Sequence, residues 1–275
     1  MLKRLRAAAR NFFSDRPAAA VEFPLEMEAA LGALHARAPV ERHLDMLFRD
    51  CNVGGENFAE LFQRCLDETA TPVTPFNVFH RFQSRRDLLQ YFFSTLHIEG
   101  ARAECGVYRG ATALLLARAW RSRQPGFKGD GLYLIDSFVG TSESGTHDLI
   151  PVRGADGATT REAFFQVAKA GLTPELVRGY FNDFPSVSIC PGWIPDVFNT
   201  ITEQTWSFVH LDVTLYEPTL AALEYFYPRL TLGGVIICDG SIFCPGAKKA
   251  WDEFCGARDL PFIVLGNRET VLIKA

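Results

Sequence analysis

From residue 101 onward, short apolar runs alternate with segments of helical periodicity. The apolar runs span 101–105, 132–135, 187–190, 208–211 and 235–238, and the helical segments span 111–121, 161–170, 194–202, 217–227 and 246–256. Repeated strand–helix units predict a parallel sheet with helices on both faces. Two last runs, 262–265 and 271–273, are too close together for a helical crossover and predict a hairpin with one antiparallel strand. The predicted fold is α/β, a doubly wound, seven-stranded, mostly parallel, Rossmann-like sheet.

Acidic residues stand where the predicted strands end. In sheets of this kind, ligands bind beyond the carboxyl ends of the strands. One acid at such a position is ordinary turn chemistry, but four of the five predicted ends carry one, and the fifth carries a glycine and an aromatic residue. In chain order the residues are Glu104, Asp136, Gly192 with Trp193, Asp212 and Asp239. This pattern favours a ligand site over a set of turns.

The first of these ends continues into a glycine turn and a helix. Gly106 and Gly110 flank Tyr108, and the helical segment follows directly. The glycines leave room above the turn, and the start of the helix brings its positive dipole end there. An acid at Glu104 suits an amine and hydroxyls better than a phosphate, and G-x-G-x-x-G is absent, which disfavours a nicotinamide dehydrogenase. G-x-S-x-G is also absent, which disfavours an α/β-hydrolase. The turn predicts a site for S-adenosylmethionine, with Glu104, Gly106, Tyr108 and Gly110 as binding residues.

The other strand ends suggest the remaining contacts of that cofactor. Asp136, with Ser137 beside it, stands where a carboxylate accepts hydrogen bonds from ribose hydroxyls, or else caps a turn. Gly192 and Trp193 could lie against the adenine ring, although a tryptophan may equally belong to the core. Asp212 and Asp239 could share a hard cation such as Mg²⁺. Alternatively, one of these two acids contacts the cofactor amine and the other caps a turn.

Composition sets outer bounds on the function. The net charge is −4, which gives no reason to expect a nucleic-acid partner. The seven cysteines form no C-x-x-C pair and suggest buried thiols of a reducing, cytoplasmic compartment. No apolar run is long enough to span a membrane. The basic residues of the first 14 positions are compatible with a transit peptide or a membrane-surface helix, but a solvated helix is the favoured interpretation.

Residues 1–97 differ from the rest of the chain. Apolar spacing predicts helices over 26–37, 40–50 and 56–66, and Asn77 is a candidate cap for a long helix that follows. No catalytic constellation occurs there. We expect a helical extension that acts as a lid, as the surface of a homodimer, or as both, joined to a cofactor-binding domain at 98–275.

Several longer runs resemble the macrocin O-methyltransferase family. They include Glu104–Gly110, Leu134–Phe138, Phe208–Thr219, Gly233–Asp239 and Pro245–Ala250, within a resemblance that covers residues 77–275. The resemblance implies the class I methyltransferase sheet, S-adenosylmethionine as methyl donor, a sugar hydroxyl of a natural product as small-molecule acceptor, and Mg²⁺ in the best-known members. It carries Asp212 and Asp239 over as metal ligands.

Two positions depart from that family pattern. The pattern has a second acid two residues after Asp212, where this chain has Thr214, and paired acids at Asp239, where it has Gly240. By resemblance the acid missing at Thr214 is the expected base, and threonine does not accept a proton usefully near neutral pH. Three hypotheses stay open. The first is an O-methyltransferase with altered base chemistry, in which Asp212 is catalytic and the base comes from the loop 137–148, with His147 as the candidate. The second is a metal-independent enzyme for a carboxylate, phenol or amine, and the third is a non-catalytic cofactor binder.

Overall fold

The computed structural model describes residues 52–72, 75–153, 159–164 and 171–275. The chain consists of two compact units, residues 1–86 and residues 87–275. The helices predicted over 26–37 and 40–50 lie outside the described residues. The predicted division at residues 97 and 98 stays a prediction.

The described part of the first unit begins with a tiny hairpin and continues into helices. Its elements are β1 (Asn52–Val53), β2 (Glu56–Asn57), α1 (Phe58–Glu68) and the start of α2 (Pro75–Ser94). The Asn57 side chain caps α1 by accepting from the backbone N–H of Ala59 at 3.0 Å. The predicted cap at Asn77 was wrong, because α2 begins at Pro75, and proline is well suited to a first helical turn.

The second unit contains the predicted sheet. Its strands are β3 (Ala101–Cys105), β4 (Leu132–Asp136), β5 (Leu149–Arg153), β6 (Thr159–Ala163), β7 (Ser188–Pro191), β8 (Trp206–Leu211), β9 (Leu230–Cys238), β10 (Ile263–Val264) and β11 (Thr270–Ile273). Seven of them form one sheet in the order β10-β11-β9-β8-β3-β4-β7. The five strands from β9 to β7 are parallel, and β11 runs antiparallel to both β9 and β10. The predicted fold class and the antiparallel final strand are confirmed.

Four α-helices of this unit connect the strands. They are α3 (Ala111–Arg123), α4 (Pro174–Tyr180), α5 (Tyr216–Arg229) and α6 (Pro245–Gly256). The helices predicted near 111, 217 and 246 are therefore confirmed. The helix predicted over 194–202 is instead a 3₁₀ turn at Asp196–Thr200, which follows Pro195 and is too short for a regular α-helix.

A second prediction failed at residues 161–170. Residues 161–163 belong to β6, which pairs antiparallel with β5 in a separate two-stranded sheet, and residues 165–170 lie outside the described residues. The predicted helix there rested on local propensity. Pairing with a strand ten residues earlier outweighs that weak preference, and Thr159 and Thr160 favour the extended backbone.

The centre of the sheet is the core of the second unit. Every residue of β3 and β8 is buried, as expected for parallel strands covered on both faces. Trp206 packs edge-on against Phe226 with ring centroids 4.9 Å apart. The six cysteines among the described residues are free thiols. Within the described part of the chain, no helix combines the length and the apolar character needed to cross a membrane.

The order of the strands fixes the place of the site. The chain runs from β3 outward through β4 to β7, and then returns to β8 on the other side of β3 and continues to β9. The order therefore reverses between β3 and β8. Open α/β sheets form their ligand crevice at such a point, beyond the carboxyl ends of the strands.

Candidate active site

Backbone hydrogen bonds join the predicted strand-end residues into one row. The Gly106 N–H donates to the Ile135 carbonyl at 2.9 Å, and the Asp212 N–H donates to the Cys105 carbonyl at 2.8 Å. Two further hydrogen bonds follow the same pattern. The Asp239 N–H donates to the Leu211 carbonyl at 2.8 Å, and the Gly192 N–H donates to the Asp136 carbonyl at 2.9 Å. The ends of β7, β4, β3, β8 and β9 thus present their side chains along a single edge.

Gly106 holds the glycine turn that follows β3 against the end of β8. Its φ is +87°, a conformation that costs other residues energy. A Cβ added there would lie 2.7 Å from the carbonyl carbon of Asp212 and would overlap its oxygen. Only glycine therefore allows the turn to touch the Asp212 backbone.

Gly110 directs the turn into α3. Its φ is +88°, and it precedes the helix without a side-chain cap. A Cβ there would lie 3.2 Å from the Phe181 ring and 3.4 Å from the Val177 side chain. The close packing fixes the start of α3 near the strand ends, where its backbone N–H groups favour a negatively charged ligand group.

Asp136 organises the same turn from the neighbouring strand. One carboxylate oxygen accepts from the Tyr108 N–H at 2.9 Å and the other from the Phe138 N–H at 2.7 Å. Both of those residues have positive φ, +51° and +55°, which is unusual for residues with side chains. The carboxylate therefore offsets local strain on both sides of it. Ser137 turns the chain further by donating to the Gly140 carbonyl at 2.8 Å.

Glu104 is buried beneath the site and contacts a histidine. Its side chain is 1% exposed, that of His210 is 0% exposed, and the Glu104 Oε1 lies 3.0 Å from the His210 Nδ1. The two residues are register partners on β3 and β8. The predicted role of Glu104 toward the cofactor stays a prediction. The pairing with His210 escaped sequence reasoning, because it depends on which residues of two distant strands lie side by side.

His210, Asp212 and Asp239 form a group that could hold a metal ion. One ligand atom from each lies within 4.8 Å of the others. His210 and Asp212 are two residues apart at the end of β8, and Asp239 directly follows β9. Two carboxylates fit a hard divalent cation, which commonly uses one or two of them and keeps several waters. His210 was not among the ligands predicted from the sequence, although its spacing of two from Asp212 was a signal.

The two positions that lack an acid differ in their surroundings. Thr214 is partly buried three residues beyond the end of β8. Gly240 has a φ of +81°, and a Cβ there would lie 3.0 Å from the Cys244 sulfur. Burial raises the pKa of the Cys244 thiol to about 12, with a further contribution from the charge of Asp239. The raised pKa favours the neutral thiol at ordinary pH.

Trp193 lies just after β7, the strand at one end of the row. Its side chain is 43% exposed, so it does not belong to the core, one of the two interpretations that the sequence left open. Gly192 precedes it with a φ of +153°, and a Cβ there would lie 3.1 Å from the Val197 Cβ. The exposed ring is available for stacking on a planar ligand group.

The loop that carries His147 is attached to α5 by its neighbour. The buried Asp148 accepts from the Tyr216 N–H and from the Gly145 N–H, each at 2.8 Å. A Cβ on Gly246 would overlap the Asp148 carboxylate, so this position also needs glycine. The exposed His147 ring lies 4.5 Å from the Tyr216 ring. Its predicted role as a base stays a prediction.

Comparisons with known proteins show the family to which this chain belongs. Residues 80–264 match the family described as Macrocin-O-methyltransferase (TylF), and the chain belongs to that family. It is similar to the demethyldecarbamoylnovobiocin O-methyltransferase of Streptomyces niveus, with 29% identity over 171 residues, which cover 60% of this chain and 61% of that protein. It is also similar to the 8-demethyl-8-(2,3-dimethoxy-alpha-L-rhamnosyl)-tetracenomycin-C 4'-O-methyltransferase of Streptomyces olivaceus, with 31% identity over 165 residues, 56% of this chain and 59% of that protein.

A solved structure shares the fold. The O-methyltransferase NovP superposes with a TM-score of 0.55 at 23% identity, over 70% of this chain and 80% of that one. The matched segments span about three fifths of the two Streptomyces proteins.

Proposed function

We propose that this protein is an S-adenosylmethionine-dependent methyltransferase that methylates a hydroxyl group of a natural product, with a sugar hydroxyl as the favoured acceptor. The observation that carries the proposal is the packing of the Gly106 turn on the Asp212 backbone. It brings a cofactor turn and a row of acids together where the strand order reverses. The family supports the acceptor class, and so do the two Streptomyces relatives, which are named as O-methyltransferases of a demethyldecarbamoylnovobiocin and of a rhamnosyl-tetracenomycin.

The cofactor would lie along the ends of β3, β4 and β7. The turn from Gly106 through Tyr108 to Gly110, together with the start of α3, suits the methionine carboxylate. Each Asp136 oxygen accepts one backbone N–H and retains a lone pair for a ribose hydroxyl, beside Ser137. The exposed ring of Trp193, next to Gly192, suits the adenine. Asp212 and the more deeply buried Glu104 would supply negative charge near the amine and the sulfonium of S-adenosylmethionine.

Methyl transfer is a displacement at carbon. A lone pair of the acceptor oxygen forms the new bond to the methyl carbon, the carbon–sulfur bond breaks, and its electrons stay on sulfur to give S-adenosylhomocysteine. The acceptor hydroxyl must lose its proton, and we assign the acceptance of that proton to the Asp212 carboxylate. The turn and the strand ends hold the reacting atoms in line. A divalent cation held by Asp212 and Asp239 would stabilise negative charge on the acceptor oxygen.

The second candidate is a metal-independent methyltransferase for a carboxylate, phenol or amine. Thr214 and Gly240 favour it, because two acids of the family pattern are absent and an acceptor that is easier to deprotonate needs less assistance. A non-catalytic cofactor binder is less well supported, because every part of the cofactor turn is present.

A product assay separates these candidates. The full chain is incubated with S-adenosylmethionine and a panel of glycosylated aromatic natural products, phenols, carboxylic acids and amines. S-adenosylhomocysteine and methylated acceptor are then quantified with and without added Mg²⁺. Methylation of a glycoside hydroxyl that depends on the cation supports the proposal. Methylation of another class without a cation supports the second candidate. Cofactor binding without turnover on any acceptor supports the non-catalytic binder.

We further propose a cytoplasmic homodimer, with residues 1–97 as the lid or the dimer surface. Six free cysteines among the described residues support a reducing compartment. Light scattering of the full chain and of a variant that lacks the first 50 residues tests the assembly. A dimer in both samples would exclude residues 1–50 as the dimer surface.

A further inference from the structure

We propose that the cation site of this protein includes an imidazole ligand, with His210, Asp212 and Asp239 as donors and Glu104 orienting the ring. The site would therefore select a first-row transition ion such as Mn²⁺ over Mg²⁺. This inference rests on the proposed function, because it concerns the cation that would assist methyl transfer.

The position of the three donors supports a common ligand. Residues two apart on a strand point to the same face, which places His210 and Asp212 together. Asp239 is joined to the adjacent Leu211 by a backbone hydrogen bond of 2.8 Å. The donor atoms lie within 4.8 Å of one another. Donors at about 2.2 Å from one ion are separated by about 3.1 Å when adjacent and by about 4.4 Å when opposite, so the three donors would move closer together to bind a common ion.

Glu104 sets the orientation of the imidazole. The carboxylate lies 3.0 Å from Nδ1 and can accept a proton from that nitrogen, and in the tautomer that carries this proton the lone pair of the neutral ring is on Nε2. A carboxylate behind a histidine is the usual second partner of a metal-binding imidazole. The pair is fully buried, so the ring has little freedom to turn away.

The chemistry of this donor set differs from that of an all-carboxylate site. Mg²⁺ prefers oxygen ligands in a near-ideal octahedron, whereas an imidazole nitrogen favours transition ions. The family pattern supplies its extra donors as acids at the positions of Thr214 and Gly240. His210 would add a nitrogen donor to the two carboxylates that this chain retains.

Pulsed electron paramagnetic resonance of the metal-stripped full chain, loaded with Mn²⁺, tests the assignment directly. A bound Mn²⁺ that shows hyperfine coupling to a coordinated imidazole nitrogen supports it. Bound Mn²⁺ without that coupling, or no saturable binding of Mn²⁺, overturns it. Because the wild-type protein is used, the result does not depend on whether a variant folds.

Variants identify the source of the coupling. His210→Gln should abolish it and weaken Mn²⁺ binding by about 10- to 100-fold, with a smaller loss for Mg²⁺. Glu104→Gln should weaken Mn²⁺ binding by about tenfold while the coupling remains. His97→Gln, at an exposed histidine, is the matched control and should change neither. Coupling that survives His210→Gln, or equal losses for both ions, would overturn the proposal.

Cofactor binding in the same samples separates this proposal from the proposed function. Nitrogen coupling without S-adenosylmethionine binding would support the metal site and contradict the methyltransferase. Cofactor binding without nitrogen coupling would retain the methyltransferase and reject the imidazole ligand.

Discussion

The two sides of the crevice between β3 and β8 are formed by different parts of the chain, one by backbone and the other by side chains. On the side of β3 and β4, backbone conformation defines the site, through the glycines at positive φ and the Asp136 carboxylate that accepts from two N–H groups. On the side of β8 and β9, a few side chains define it, and two of the acids expected there are absent. A backbone-built region tolerates little change without loss of fold, whereas a side-chain-built region can change its chemistry on the same backbone.

Gly106→Ala should give the largest effect on cofactor affinity, because it changes the backbone that forms the β3–β4 side. The added Cβ would overlap the Asp212 carbonyl, and φ at this position is +87°. We expect the turn to relieve about 3 kcal/mol of strain by moving away from the Asp212 backbone, and restoring its position on binding would then lower S-adenosylmethionine affinity by about 100-fold. Gly126→Ala is the matched control, because nothing lies within 4 Å of its added Cβ. Calorimetric titration measures both. Wild-type affinity in Gly106→Ala would contradict the role given to this contact.

Thr214→Asp should give the next largest effect, and in the opposite direction. It restores a carboxylate on the side-chain-built side, so Mg²⁺-dependent turnover should rise about tenfold, which is less than the usual contribution of about 100-fold or more from a positioned base because Asp212 already carries that assigned role. Thr214→Asn is the control for size without charge and should leave turnover near the wild-type rate. A rise in both variants, or in neither, would show that the missing acid does not limit the reaction.

Gly240→Asp should not rescue activity in the same way. Its φ is +81°, and a Cβ there would lie 3.0 Å from the Cys244 sulfur. We expect a loss of about 1–3 kcal/mol in the free energy of unfolding, measured by urea denaturation. The double variant Gly240→Asp with Cys244→Ala should recover part of that loss. A fully stable single variant would contradict the account of this position.

Trp193→Ala tests the proposed contact between the exposed Trp193 ring, which follows β7, and the adenine of the cofactor. We expect S-adenosylmethionine to bind about five- to tenfold more weakly, in line with the loss of one aromatic stacking contact. Thermal stability should stay unchanged, because the side chain is 43% exposed. A loss of stability with unchanged affinity would mean that the ring packs within the protein and does not contact the cofactor.

His147→Gln should give the smallest effect. The exposed ring lies against Tyr216, and Asp212 carries the assigned base role, so kcat should fall by less than about threefold. A fall of about 100-fold or more with unchanged cofactor affinity would transfer the base role to this loop.

Local sequence pattern was sufficient for the sheet and for the edge along which the strand-end residues lie. The apolar runs gave the seven strands, and the strand-end acids lie in one row as predicted. The partnership of Glu104 with His210 was not predictable, because it joins residues 106 positions apart through strand register. The β5–β6 hairpin was missed for the same reason, since cross-strand pairing overrode the helical propensity of residues 161–163.

Calorimetric titration of S-adenosylmethionine into the metal-stripped full chain tests the central claim most directly, with the titration repeated after addition of Mg²⁺ or Mn²⁺. The account predicts saturable binding to a single site per chain in the range of about 1–100 μM, with or without a cation, because the cofactor side is built from backbone that needs no metal. Absence of binding under all three conditions would contradict the methyltransferase assignment, and the acids along the strand ends would then require another ligand.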